Sequence, residues 1–320
     1  MNRFAASILV LLSAFGLAHA QDRYPSRPLK VVVGFPPGGA SDVAARTVGA
    51  KLAERLGQPV VIENRAGAAS NIGSELVAKS PADGYTVLLG TISLSINPSL
   101  YPKLNYDALK DFAPVTQVSS APFLLVVHPD QPYKTLAEFL AGAKAAPKPL
   151  LYASAGNGSG AHLFMEYFAS STGIRLAHVP YKGAAPAMND VLAGLVPLTF
   201  DNIITTLPLA KAGRLRALAV STRARSAAAP EIPSLHELGV TGFDASAWFG
   251  FFVPTGTPAE AVKRLHEETV ETLKDPGVRE RLLAVGSDPV GSSPAEFGRF
   301  YRAEVEKWGR VVRSANVKID

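Results

Sequence analysis

The sequence predicts an α/β protein of two lobes joined by two crossover strands. Short apolar runs alternate with helical stretches, the alternation starts afresh in mid-chain, and the C-terminal part is helical with too few strands for a sheet of its own. Strand–helix alternation implies βαβ units, and hence parallel sheets covered on both faces.

The first lobe opens with the strand Leu29-Lys30-Val31-Val32-Val33, followed by a helix over 41–56, a strand at 59–62, a helix over 70–79 and a strand at 85–89. The second repeats the plan without repeating the sequence. Strands are expected at 150–153, 176–179, 198–200 and 215–220, with helices over 161–170 and 184–193. Two apolar segments, 123–127 and 248–253, each run into a proline and read as the crossovers. Helices over 258–273, 276–283 and 294–312 then need a sheet, and returning to the first lobe provides one. The expected division is 21–123 plus 251–320 for a discontinuous first lobe and 124–250 for the second.

Length agrees, since 320 residues exceed a typical single core. At the N-terminus a basic head (Met1-Asn2-Arg3), an uncharged apolar run from 4 to 17 and Ala18-His19-Ala20 make the three parts of a secretory signal peptide. The run is too short to span a bilayer, so export is expected, with cleavage between Ala20 and Gln21. No cysteine is present, which excludes disulfides, thiolate metal sites, cysteine nucleophiles and cysteine lipidation. The 32 basic and 27 acidic residues leave +5 overall. Basic residues are scattered rather than blocked, so no nucleic-acid partner is expected.

The chemistry concentrates in loops at the carboxyl ends of strands, where open α/β sheets bind ligands. In Gly34-Phe35-Pro36-Pro37-Gly38-Gly39-Ala40-Ser41-Asp42 a glycine-rich turn follows a strand and opens a helix. Uncapped N–H groups and the helix dipole there favour an anion without a basic side chain. The loop lacks the G-K-[ST] ending of a P-loop, which argues against nucleoside triphosphates. A plain capped turn is the other reading, with Ser41 or Asp42 as cap and Asp42–Arg46 as a surface pair. Ser154-Ala155-Gly156-Asn157-Gly158-Ser159-Gly160-Ala161-His162 is a second cradle of the same kind. Its Gly156, Gly158 and Ala161 fit a dinucleotide fingerprint only loosely, since the acidic residue expected further on is missing. His162 is either a ligand donor or an ordinary half-buried histidine.

Two further loops join them: 63–71, with Ala68 and Asn71, and 90–93, with Thr91. Asp201, expected just after a strand, would repel a carboxylate directly; an amino group, a water or a hinge amide are the roles open to it. There is no G-x-S-x-G, no H-E-x-x-H and no grouping of histidines with carboxylates at metal spacing. No catalytic residue, metal or cofactor is expected.

Together these residues carry a resemblance. Tyr24-Pro25-Ser26-Arg27-Pro28, Val33 to Gly39, Glu63-Asn64-Arg65, Ala82-Asp83-Gly84-Tyr85 and Ile96-Asn97-Pro98 resemble segments of the Bug family, the periplasmic substrate-binding proteins of tripartite tricarboxylate transporters. So do Val179-Pro180-Tyr181-Lys182-Gly183, Leu215 to Val220 and Ala229-Pro230-Glu231-Ile232-Pro233, so the likeness runs into the last third of the chain. It implies a hinged Venus flytrap binding small organic acids or amino acids. The backbone amides of 38–42 and 154–159 would surround the carboxylates. The chain departs from the family after Glu-Asn-Arg, where Ala66, Ala68, Ala69 and Ser70 replace the usual proline and glycines, narrowing that side of the site. The expected function is that of a periplasmic receptor, monomeric and not an enzyme, that hands a small carboxylate to the membrane permease subunits. The expected ligand is an organic acid, a dicarboxylate or an acidic amino acid. An exported hydrolase on the same fold, or a dinucleotide-binding oxidoreductase, are the competing readings.

Overall fold

The computed structural model describes residues 24–318 apart from 242. The expected signal peptide and its cleavage point lie outside the described residues. The first lobe starts with β1 (Leu29–Val33), α1 (Ala40–Leu56), β2 (Val60–Asn64), α2 (Asn71–Ala78), β3 (Thr86–Thr91) and α3 (Ile92–Leu100). A long strand, β4 (Phe112–Val127), leads out of it. The second lobe holds α4 (Leu136–Ala145), β5 (Leu150–Ser154), α5 (Gly160–Thr172), β6 (Leu176–Pro180), α6 (Ala184–Leu192), β7 (Leu198–Asn202), α7 (Ile203–Lys211) and β8 (Arg216–Val220). The chain returns through β9 (Ser246–Pro254), α8 (Ala259–Lys274), α9 (Pro276–Ala284), β10 (Asp288–Pro289) and α10 (Pro294–Ser314).

The strand order is β2-β1-β3-β9-β4-β7-β5-β6, with β8 and β10 also paired to β4. Strands β1, β2 and β3 are parallel, as are β5, β6 and β7. The connecting strands β4 and β9 run antiparallel to their neighbours. Strand β4 belongs to both lobes. Residues Phe112 to Pro122 pair with β9, and Phe123 to Val127 pair with β7. The outward crossing therefore falls at 122/123, beside the expected 123/124.

The return crossing differs from the expectation at 250/251. Strand β9 pairs with β4 from Ser246↔Pro122 to Phe112↔Pro254, and with β3 over Phe249 to Phe252. All of it sits in the first-lobe sheet, so the chain crosses before Ser246, where Ala245 N–H donates to Ser221 O. The segment 248–253 is apolar because it lies central in that sheet.

Alternation along the strands divides the core by sheet face. Val32, Leu88, Phe123, Leu125, Val127 and Phe252 pack on one side. Val31, Val33, Leu124, Val126, Phe251 and Val253 pack on the other. Both cores run through both lobes. Helix α10 spans them as well: Tyr301 donates to Ala108 O at 2.9 Å in the first lobe, while Trp308 stacks on Phe164 of α5 at 5.3 Å.

Helices α3, α4 and α7 and the first half of β4 carry weak signals in the sequence. Pro98 interrupts α3, and buried Ser93, Ser95 and Asn97 conceal its apolar face. In β4 the polar Thr116 and Ser119 are buried because Ser292 O and Ser287 Oγ meet them.

Candidate functional site

The facing ends of the strands enclose a cleft whose inner part is narrow, with a volume of about 80 Å³. Five helices begin on its wall: α1 at Gly39-Ala40-Ser41, α3 at Thr91-Ile92-Ser93, α5 at Ser159-Gly160-Ala161, α6 at Ala184 and α7 at Asn202. Each start follows a strand or a glycine, so it reaches the cleft without a bulky side chain intervening. Helices α1, α3 and α6 have no side-chain cap, so no side chain takes the N–H groups of their first two residues. Helix α5 is capped by Ser159 and α7 by Asn202.

Among the described residues no lysine or arginine lines this inner space; Phe35, Ile92, Phe123 and Phe249 make much of its wall. Partial positive charge from the converging helix N-termini is therefore what this space offers an anion, in a mostly apolar setting that screens it poorly. Thr91 Oγ1 is buried with no hydrogen-bond partner among the described residues. Outside lies a wider space, lined by 66–70, Gly156, Asn157, Tyr101 and Lys182.

The lobes touch around the cleft. Ser93 Oγ donates to Gly158 O at 3.2 Å, and Tyr101 Oη to Asn157 O at 3.1 Å. A Cβ on Gly183 would come within 2.9 Å of Pro36, and one on Gly158 within 3.1 Å of Ala69. These glycines let the lobes approach. The loop opposite Gly158 holds three consecutive non-glycine residues in the left-handed region: Ala68 (φ 46°), Ala69 (φ 49°) and Ser70 (φ 75°). Each conformation costs on the order of 1–2 kcal/mol for an L-residue. Ala66, Ala68, Ala69 and Ser70 thus sit in the outer cleft wall.

The structure divides the residues expected from sequence. Phe35, Gly39, Ala40, Ser41, Thr91, Ser159 and Asp201 line the inner space, and Ala68, Gly156 and Asn157 the outer. Gly38, Asp42, Asn71, Ser154 and His162 do not line either; they hold the walls from behind. Asp42 accepts from Gly38 N–H at 3.1 Å and from Arg46 and Asn64 at 3.0 Å. Burial alone would raise its pKa, but hydrogen bonds from Arg46, Gly38 and Asn64 outweigh it and hold the carboxyl below its usual range. Asn71 Oδ1 is taken by Asn97 and Tyr106, inside the first lobe.

On the second lobe, His162 and His178 stack 4.1 Å apart with nearly parallel rings. His162 Nδ1 accepts from Gly158 N–H at 3.2 Å, which places its proton on Nε2. Ser154 Oγ meets His178 Nε2 at 2.5 Å and accepts from Gly156 N–H at 3.1 Å. Burial pushes His162 down to about 3, helped by His178, and His178 down to about 4. Both rings are neutral at physiological pH. They shape the loop over the cleft rather than the cleft itself.

Comparison with known proteins decides the family. The profile described as "Tripartite tricarboxylate transporter family receptor" matches residues 44–317. The chain belongs to this family. Protein BugT of Bordetella pertussis is 39% identical, over 100% of this chain and 99% of its own length. An R. palustris protein solved with adipate is 37% identical, with a TM-score of 0.89 over 92% of this chain and 99% of that one. MatC from Rhodopseudomonas palustris, solved with bound malate, is 32% identical, with a TM-score of 0.86 over 90% of this chain and 100% of that one.

In this tripartite tricarboxylate transporter family receptor, Ser93 and Asn202, which stand in loops the sequence pointed to, also line the inner wall, whereas sequence reading missed Phe123, Ala184 and Phe249 there. Ala184 had a usable signal, since it stands at a helix start directly after Gly183. Phe123 and Phe249 had none, because an apolar residue in a strand reads as core.

Proposed function

We propose that this chain is an extracytoplasmic receptor that closes around a small carboxylate and delivers it to the permease subunits of a tripartite tricarboxylate transporter. One observation carries the reading: five helix starts, three of them without a side-chain cap, converge on the inner part of a cleft, which no lysine or arginine among the described residues lines. Such an array stabilises an anion by hydrogen bonds worth roughly 1.5–3 kcal/mol each. The adipate and malate in the related structures support a dicarboxylate or hydroxy-dicarboxylate as the class of ligand. The direct ligands we assign are the helix-start residues Gly39 to Ser41, Thr91 to Ser93, Ser159 to Ala161 and Ala184. The receptor works as a monomer in the periplasm after cleavage at Ala20, without catalysis or cofactor.

Two measurements test this. Mass spectrometry of the compound retained by gently purified protein should find a carboxylic acid; a neutral or cationic solute would sink the reading. Periplasmic extracts should contain a chain that starts at Gln21.

A further inference from the structure

A carboxylate stands within the proposed anion cradle. Asp201, near the end of β7, lines the inner cleft and is 8% exposed. Its Oδ1 accepts from the N–H of Asn202 at 2.7 Å. Among the described residues nothing else donates to it and no cation lies against it. The Thr91 hydroxyl, which has no partner among the described residues, lines the same space, so a free hydroxyl and a carboxylate with a single backbone donor share it. Buried polar groups without partners are uncommon and call for a reason.

The elements packed on β7 do not supply a counter-charge. The adjacent stretch of β4, Phe123 to Val127, has no titratable side chain. Tyr152 of β5 donates to Glu166 of α5, and His162 of α5 holds Gly158. Asp190 of α6 takes the hydroxyl of Tyr181. Lys211 of α7 sits exposed in that helix's last turn, away from the end that meets the cleft.

A bare carboxylate here can repel an anionic solute or accept a hydrogen bond from it. We propose that Asp201 selects solutes that bring a hydrogen-bond donor to the cleft floor: a hydroxy- or amino-acid anion supplies its own, and an unsubstituted dicarboxylate binds with one proton taken up. This rests on the carboxylate-receptor reading and adds the chemistry of its selectivity. Burial lifts Asp201 to about 6, so taking a proton near neutrality costs little. A bound anion beside it favours the protonated form further.

Calorimetry on the mature chain and on Asp201→Asn, with succinate, adipate, malate and aspartate between pH 8 and pH 7, tests the inference. These acids keep their carboxylates ionised throughout that range. With the native chain, affinity for succinate and adipate should rise about tenfold over that unit, with about one proton taken up. Binding heats should accordingly vary with the buffer. Malate and aspartate should change much less. Asp201→Asn places an amide N–H where the charge stood. It should abolish the slope for succinate and adipate and bind them at pH 8 at least tenfold more tightly than the native chain, with an unchanged circular dichroism spectrum. A flat profile for unsubstituted dicarboxylates on the native chain overturns the inference while the receptor reading stands. So does a slope that survives in Asp201→Asn. If none of the four acids binds either protein, the carboxylate-receptor reading fails and takes the inference with it.

Discussion

The two glycine-rich loops that face each other across the cleft are built on one plan and held by different chemistry. In each, the third residue of the helix reaches back to the N–H just before the N-cap: Asp42 to Gly38 on the first lobe, His162 to Gly158 on the second. The first acceptor is a carboxylate anchored by Arg46 and Asn64. The second is a neutral imidazole sealed under a second ring. The glycines differ too. Gly39 has an ordinary extended backbone, with φ −86° and ψ 171°. Gly156 has φ 121°, and a Cβ there would lie 2.9 Å from Tyr181 O. Similar loops thus differ in what they tolerate. The first gives up shape more readily than fold, and the second gives up fold first.

The largest expected contrast comes from valine at the two glycines. Gly156→Val should lose about 2–4 kcal/mol of stability, from the forbidden φ and the clash with Tyr181 O. Gly39→Val should stay within about 0.5 kcal/mol of the native chain, because the nearest atom to its Cβ is Ala184 Cβ at 3.8 Å. It should nevertheless lose more than about tenfold in affinity for the retained ligand, since the side chain fills the cleft and displaces a charge-assisted hydrogen bond. Denaturant titration and calorimetry would read both. Equal destabilisation by the two valines would break the distinction between the loops.

Truncating the two acceptors is the next test. His162→Ala removes a buried ring, a stacking partner and the acceptor for Gly158 N–H, and should cost about 2–4 kcal/mol. Asp42→Ala should cost less, about 1–2 kcal/mol, because Gly38 N–H at the loop edge can turn to water. A larger loss for Asp42→Ala in urea melts would mean that the charged anchor dominates.

The smallest expected effect separates the loops by pH. The folded pKa values of His162 and His178, about 3 and about 4, lie below the unfolded value near 6.5. Unfolded chains therefore bind more protons as pH falls below 6.5, and stability declines until the folded rings protonate. Asp201 acts with the opposite sign. Its folded pKa of about 6 exceeds the unfolded value, so its contribution is full below the unfolded pKa and is lost as pH rises through about 6. Two histidines with larger shifts outweigh one aspartate, so stability should fall by about 1–2 kcal/mol between pH 7 and pH 5. His178→Phe keeps a stacking ring without the titration and should flatten the decline. Thermal melts across that range would decide, and a native chain more stable at pH 5 would refute the balance.

Legibility followed the range of the forces involved. The helices over 41–56, 161–170 and 294–312 were readable because their periodicity and starting loops are local, and the structure finds them as Ala40–Leu56, Gly160–Thr172 and Pro294–Ser314. The residues at 112–122 were not readable as a strand. Thr116 and Ser119 are polar, and only Ser292 and Ser287, far along the chain, make burying them affordable. The stretch 248–253 misled for the opposite reason: its apolarity records a central place in a sheet, which looks the same in sequence as a crossing between lobes.

The sequence alone determined the α/β alternation, the glycine-rich turns before helices and the shortage of basic residues within them, because each depends on neighbours a few positions apart. Tertiary structure decided which of those turns meet. It alone set Gly158 against Ala69 and Gly183 against Pro36 across the cleft. It left the Thr91 hydroxyl without a partner among the described residues and buried Asp201. Desolvation and close approach are properties of the space between distant segments, and that space exists only once the lobes have packed.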